Sequence, residues 1–168
     1  HLKISREVVN YRINRLQKQG ILQSFVTEIN IGKLGYQGAA VFITVKSNAQ
    51  KEFKEYLLQT SFVSWVAELA GVWSFGLSII GKSNEEIDHR FSTIYKKFKN
   101  TIIDHRITPH RKSNFYYEKY FGKKTRTTII ENLIDYKIDN KDLDILQILS
   151  TNSRAETTKI SRRVKLTA

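Results

Sequence analysis

Arg6, Asn10, Tyr11 and Asn14 recur on one side of the stretch Ser5 to Leu22, SREVVNYRINRLQKQGIL, with Arg12 and Arg15 on its flanks. Carboxamide and guanidinium groups at helical spacing can read base edges, Asn pairing with adenine and Arg with guanine. Arg12, Arg15 and Lys18 are placed to hold phosphates instead, which gives affinity without sequence information. Either task requires a rigid rod of the width that the major groove admits. The stretch supplies one: Val9, Ile13 and Leu16 at i, i+4 and i+7 make a narrow apolar stripe. Ser5 stands where an N-cap belongs, and Gly20 is placed to end the helix in a left-handed turn. The residues alone leave two readings equally open, a DNA-reading helix and a solvated amphipathic one.

Other reactive side chains lead nowhere so definite. His89, His105 and His110 lack the neighbouring carboxylates and cysteines of a metal or acid–base site and read as surface histidines. His105 and His110 are placed to face opposite sides of a regular strand. Trp65 and Trp73 flank a turn and read as core or dimer-interface aromatics. Lys96-Lys97-Phe98-Lys99 reads as a solvated helix end that complements the helix dipole. No phosphate-cradling glycine loop, nucleophile elbow or HExxH is present, so no catalytic residue, metal or cofactor is expected.

The chain has 168 residues, 40% hydrophobic and 11% aromatic, enough for one domain or two small ones with real cores. Lys plus Arg is 28 against 16 for Asp plus Glu, a net charge of +12 that favours a polyanionic partner. No apolar run approaches the roughly 20 residues a spanning helix needs, so a soluble cytoplasmic protein without a membrane partner is expected. There is no Cys, which excludes disulfides. There is also no Met, and His1 opens inside what reads as an element, so the chain reads as a segment of a longer protein.

The elements that must position the helix follow in order. Ile21 to Ile31 alternates loosely and predicts a short strand pair, a wing; Gly32, Gly35 and Gly38 then mark a linker. Strands are predicted over Ala40 to Val45, Phe62 to Leu69, Val72 to Ile80 and Ile102 to Ile107, the last ended by Pro109. Ser113 to Phe121 either extends that strand or returns along the sheet edge. Helices are predicted over Ala49 to Gln59 and Ser83 to Lys99, the second opened by a Ser83–Glu86 capping box. Strand, helix, strand, strand, helix, strand is the order of a ferredoxin-like sheet with one face left for a partner. Gly122 to Lys137 reads as a linker with weak helix character, Ile138 to Leu149 as a helix with Leu143, Leu146 and Leu149 along one side, and Thr157 to Val164 as a short helix.

The last five residues, Val164-Lys165-Leu166-Thr167-Ala168, repeat the pattern of Leu2-Lys3-Ile4-Ser5-Arg6. The carboxyl end thus reads as the two helices that precede a recognition helix, and a tandem repeat of the unit is expected. The chain resembles the Lrp/AsnC family of transcription regulators. Ser5, Val9, Arg12-Ile13, Leu16 and Gly20-Ile21 match that family's recognition-helix pattern; Ile138-Asp139, Asp142, Ile145-Leu146, Leu149 and Arg154 match its opening run, and Leu34-Gly35 the end of its linker. The resemblance implies an α+β protein, a ferredoxin-like βαββαβ domain flanked by parts of winged helix-turn-helix domains. The expected boundaries are 1–36 for the recognition helix, wing and linker, 37–121 for the ferredoxin-like effector (RAM) domain, 122–137 for a linker, and 138–168 for the first two helices of a second helix-turn-helix. It implies a non-enzymatic, sequence-specific regulator that contacts double-stranded DNA through Ser5, Arg6, Asn10, Tyr11, Arg12, Asn14, Arg15 and Lys18, forming dimers or larger homo-oligomers through its sheets. It also implies a small, amino-acid-like effector near Gly71, Trp73 and Ser74, although Ser74 stands where the family usually has Asp, and a carboxylate is what would pair with an ammonium group. Siroheme decarboxylases resemble the same two-domain plan, which makes an enzyme on an acidic tetrapyrrole the rival expectation, with a low-specificity DNA organiser as a third.

Overall fold

The computed structural model describes residues 3–115, 122, 128–130 and 136–165. These residues divide into two compact units, one of residues 1–29 with 138–168, the other of residues 30–137.

The larger unit is built on a sheet of four antiparallel strands, β1 (Gln37–Val45), β2 (Val63–Glu68), β3 (Phe75–Gly81) and β4 (Ile102–Pro109), in the order β2-β3-β1-β4. Helices α2 (Gln50–Gln59) and α3 (Asn84–Phe98) make the βαββαβ order expected from the sequence, an α+β ferredoxin-like domain. β1 alternates in burial along its length, so Val41, Ile43 and Val45 enter one face while Ala40, Phe42 and Thr44 lie on the other. Register carries the pattern across: Val41 opposes Leu77 and Ile107, and Ile43 opposes Phe75 and His105. Phe53 and Leu57 of α2 and Ile87, Phe91, Ile94 and Phe98 of α3 close this core. Phe53 sits among rings, 5.3 Å from the Phe75 centroid and 4.9 Å from that of Phe98.

The opposite sheet face is also apolar. Ala40, Phe42 and Ile80 are half-buried there, and Trp65 is 54% exposed. Gly76 leaves room for Trp65 here, since a Cβ at Gly76 would stand 3.3 Å from its ring.

Several local expectations change. β3 begins at Phe75, not at Val72, because Val72 and Ser74 are drawn into a turn. Leu69 N–H donates to the Ser74 carbonyl, Ser74 N–H to Ile43, and the Thr44 hydroxyl to the Val72 carbonyl. The Ser83 hydroxyl accepts the Glu86 N–H at 3.1 Å as expected, but the Glu86 carboxylate turns to the Lys82 N–H and to Arg90 rather than back to Ser83. Arg90 explains the diversion: its guanidinium also donates to the Ile80 carbonyl and lies 5.5 Å from the Phe62 ring. Phe98 is buried while its lysine neighbours are exposed, with Lys97 placed 4.3 Å from the Tyr56 ring. Within the predicted linker Gly122 to Lys137, Thr128–Ile130 is a strand, β6, paired antiparallel with β5 (Ser113–Phe115). Residues 116–121 of the predicted return strand lie outside the described residues.

The smaller unit holds α1 (Arg6–Lys18), α4 (Asn140–Thr151) and α5 (Thr157–Arg163). Ser5 caps α1 by accepting the Val8 N–H at 3.4 Å. The other end closes as a Schellman motif: Gly20 N–H donates to Gln17, Ile21 N–H to Leu16, and Gly20 takes φ +70°. Gly20→Ala is therefore expected to destabilise this helix end by about 1 kcal/mol, measured as faster amide exchange at Gly20, Ile21 and Leu22. α4 opens with a reciprocal capping box, Asp142 N–H on Asp139 at 2.8 Å and Asp139 N–H on Asp142 at 3.1 Å. Its half-buried side is Ile145, Leu146, Ile148 and Leu149; Leu143, expected on that stripe, is 47% exposed. The predicted wing strands over Ile21 to Ile31 do not form, because Phe25 and Thr27 turn their backbone groups to the end of α4 instead of to each other. Of the terminal repeat, Leu2, Leu166, Thr167 and Ala168 lie outside the described residues.

Candidate nucleic-acid interface

Of the residues in α1, only Val9, Ile13 and Leu16 are half-buried, the three that the apolar spacing selects. Arg6, Asn10, Tyr11, Arg12, Asn14, Arg15 and Lys18 are all exposed, Tyr11 to 67%. Ser5, also exposed, is occupied by the cap. The helix thus offers its whole set of predicted base-edge and phosphate groups to solvent on one rod. None of its arginines is tied into an ion pair among the described residues. Free guanidinium and carboxamide groups on a capped, rigid helix are able to form bidentate hydrogen bonds without first breaking internal ones.

The helix start carries one acid, Glu7. Hydrogen bonds from its own backbone N–H and then from Ser5 hold its carboxyl below the usual 4.5, as an anion at a helix N-terminus. Because the folded value is the lower one, this anchoring is present above 4.5 and is lost as pH falls through the depressed value. Glu85 behaves alike at the start of α3, held down first by Ser83 and then by its own backbone. An acid titration followed by amide shifts should show both helix starts loosening as pH falls through the depressed values, below the usual 4.5.

The turn expected to hold an effector is organised differently from an open site. Gly71 takes φ +120° and is exposed. Trp73 packs 6.2 Å from the Phe42 ring. The Ser74 hydroxyl accepts the Val45 N–H at 3.2 Å and lies 3.4 Å from both the Val45 carbonyl and the Gln50 amide nitrogen. Gly71, Trp73 and Ser74 therefore share one turn, but the Ser74 hydroxyl is spent on fastening that turn to the end of β1. The histidines form no cluster: among the described residues no three His, Cys, Asp or Glu side chains are placed to hold a metal. His105 is stacked, 4.8 Å from the Phe91 centroid and 5.3 Å from that of Tyr95.

Residue spacing did not predict the pair Phe25 and Arg154. The Arg154 guanidinium lies 3.6 Å from the Phe25 ring centroid. Nothing in sequence periodicity links two positions so far apart; Arg154 stood out only as one residue of the pattern at the carboxyl end.

The ferredoxin-like α+β fold is also that of solved Lrp/AsnC regulators. Solved structures place the fold there: B. subtilis LrpC superposes with a TM-score of 0.53 at 21% identity, covering 64% of this chain and 74% of that one. E. coli AsnC does so with a TM-score of 0.55 at 15% identity, covering 64% and 72%. In sequence, the chain is 33% identical over 91 residues to an uncharacterised HTH-type transcriptional regulator of Pyrococcus horikoshii, a match to 51% of this chain and 60% of that one. No family profile matches the chain. The chain thus resembles LrpC and AsnC in fold and HTH-type transcriptional regulators of Pyrococcus in sequence, and it spans about 60% of the length of the curated relatives it matches. No helix among the described residues is long and apolar enough to cross a membrane.

Proposed function

We propose that this protein is a sequence-specific DNA-binding transcription regulator of the Lrp/AsnC type. The observation that carries the reading is the division of α1: Val9, Ile13 and Leu16 turned inward, Arg6, Asn10, Tyr11 and Asn14 left in solvent. Arg6, Asn10, Tyr11 and Asn14 contact base edges; Arg12, Arg15 and Lys18 hold phosphates, and the net charge of +12 draws the polyanion in. Copies associate through the apolar sheet face that carries Phe42, Trp65 and Ile80, which sets two recognition helices on half-sites about 34 Å or a multiple apart. A free amino acid is a poor effector for the Gly71–Ser74 turn, because the Ser74 hydroxyl already has internal partners and stands where the family usually has the carboxylate that would meet an ammonium group.

The test is selection of duplexes from a random pool, followed by affinity measurement at several salt concentrations. The reading predicts an enriched motif and a log–log salt slope of several units. Binding that ignores sequence would convert the protein into a DNA organiser, and binding indifferent to salt would remove nucleic acid altogether.

A further inference from the structure

The geometry points to the outer edge of β4 as a second contact between copies, pairing antiparallel with the same edge of another molecule about a twofold axis at His105. The contact is separate from the sheet face invoked above and does not depend on the DNA reading.

β4 closes one side of the four-stranded sheet, and among the described residues no strand pairs with its outer side. Which backbone groups face outward follows from the register. His110 N–H donates to the Gly38 carbonyl at 2.8 Å. Thr108, Arg106 and Asp104, opposite Ala40, Phe42 and Thr44, therefore also turn their backbone groups toward β1. Those of His105 and Ile107 point away from it. The His105 N–H accordingly donates to the Asp104 carboxylate at 2.7 Å instead of to β1. Pro109 falls in the outward set as well, where its missing N–H costs the sheet no bond.

The side chains of this edge are self-complementary. Asp104 and Arg106 are both exposed, and neither is in an ion pair among the described residues. When β4 pairs with its own copy about His105, the two His105 residues exchange both backbone hydrogen bonds. Each Asp104 then opposes the Arg106 of the other copy in a non-hydrogen-bonded pair, where side chains stand closest. Two ion pairs flank the axis. Neighbouring registers fail: centring on Arg106 sets two guanidinium groups face to face, and centring on Ile107 asks Pro109 for the N–H it lacks. Assembly requires only that the Asp104 carboxylate exchange its own strand's N–H for a guanidinium. The edge is apolar on its flanks too. Ile103, the extra residue of the irregularity opposite Thr44 and Val45, is 63% exposed. A groove of about 310 Å³ lined by Phe91, Tyr95, His105 and Ile107 runs beside the strand, and a second strand laid there covers it.

The test needs no DNA. The chain has no native Cys, so a single introduced thiol can bridge only to another molecule. His105→Cys sets two thiols across a pair whose Cα atoms stand about 5.5 Å apart, within disulfide range. Ile107→Cys, two residues along, sets them about 14 Å apart. Mild oxidation should therefore convert the first variant to a covalent dimer on a non-reducing gel and leave the second a monomer. In the His105→Cys background, Asp104→Arg should lower the dimer yield at least about tenfold, and Arg106→Asp should do the same. The two reversals together should restore it, a rescue that unfolding would not show. Trp65→Asp, on the open face at the far side of the sheet, should leave the yield unchanged, which separates this contact from association through that face. Equal bridging at 105 and 107, no bridge from His105→Cys in folded protein, or a yield indifferent to the reversals would each overturn the inference. So would loss of the bridge in Trp65→Asp.

Discussion

Arg6→Ala combined with Asn10→Ala is expected to abolish recognition of the selected sequence while leaving a weak, sequence-indifferent affinity. A good bidentate pair with a base is worth roughly 1–3 kcal/mol, so losing two should lower specific affinity by roughly 30-fold at the least. Both side chains are exposed on α1, so their removal should change stability by no more than about 0.5 kcal/mol. Melting of the double variant should match wild type, which separates this result from unfolding. Arg12→Ala and Arg15→Ala should behave otherwise, weakening all sequences alike and reducing the salt slope by about one unit each. Equal losses on specific and random duplexes from Arg6 and Asn10 would instead place those residues on phosphates.

Phe53→Ala should have the largest effect on stability, about 3–5 kcal/mol. Its ring is fully buried between Phe75 of β3 and Phe98 of α3, so truncation leaves a void that the packed sheet and helices cannot close. Chemical denaturation followed by fluorescence of Trp65 and Trp73, both in this domain, reads the loss directly. A change below about 1 kcal/mol would mean that the core at Phe53 is looser than its aromatic packing indicates. Leu58 is the control: it lies on the same helix but is exposed, and Leu58→Ala should change stability by no more than about 0.5 kcal/mol.

What the residues determined without the fold was periodic and local. The stripe Val9–Ile13–Leu16, the cap at Ser5, the stop at Gly20 and the stripe Ile87–Phe91–Ile94–Phe98 each follow from spacing within a few turns, and the structure has all of them. The βαββαβ order was legible for the same reason, because alternation and helical period change at every boundary. The exposed set on α1 followed as well, since a helix that buries one narrow stripe must leave the rest in water. What depended on distant partners was not legible. Ser74 in a turn rather than in β3, Glu86 drawn to Arg90, and Thr128–Ile130 as a strand all depend on groups far along the chain that satisfy backbone or charge. The clearest case is the predicted wing: Phe25 and Thr27 carry a pattern fit for a strand, but only the folded chain brings the open end of α4 to their backbone. Periodicity chooses which side of an element turns inward, whereas the pairing of orphaned hydrogen-bonding groups is settled by whichever partner the tertiary structure brings within reach.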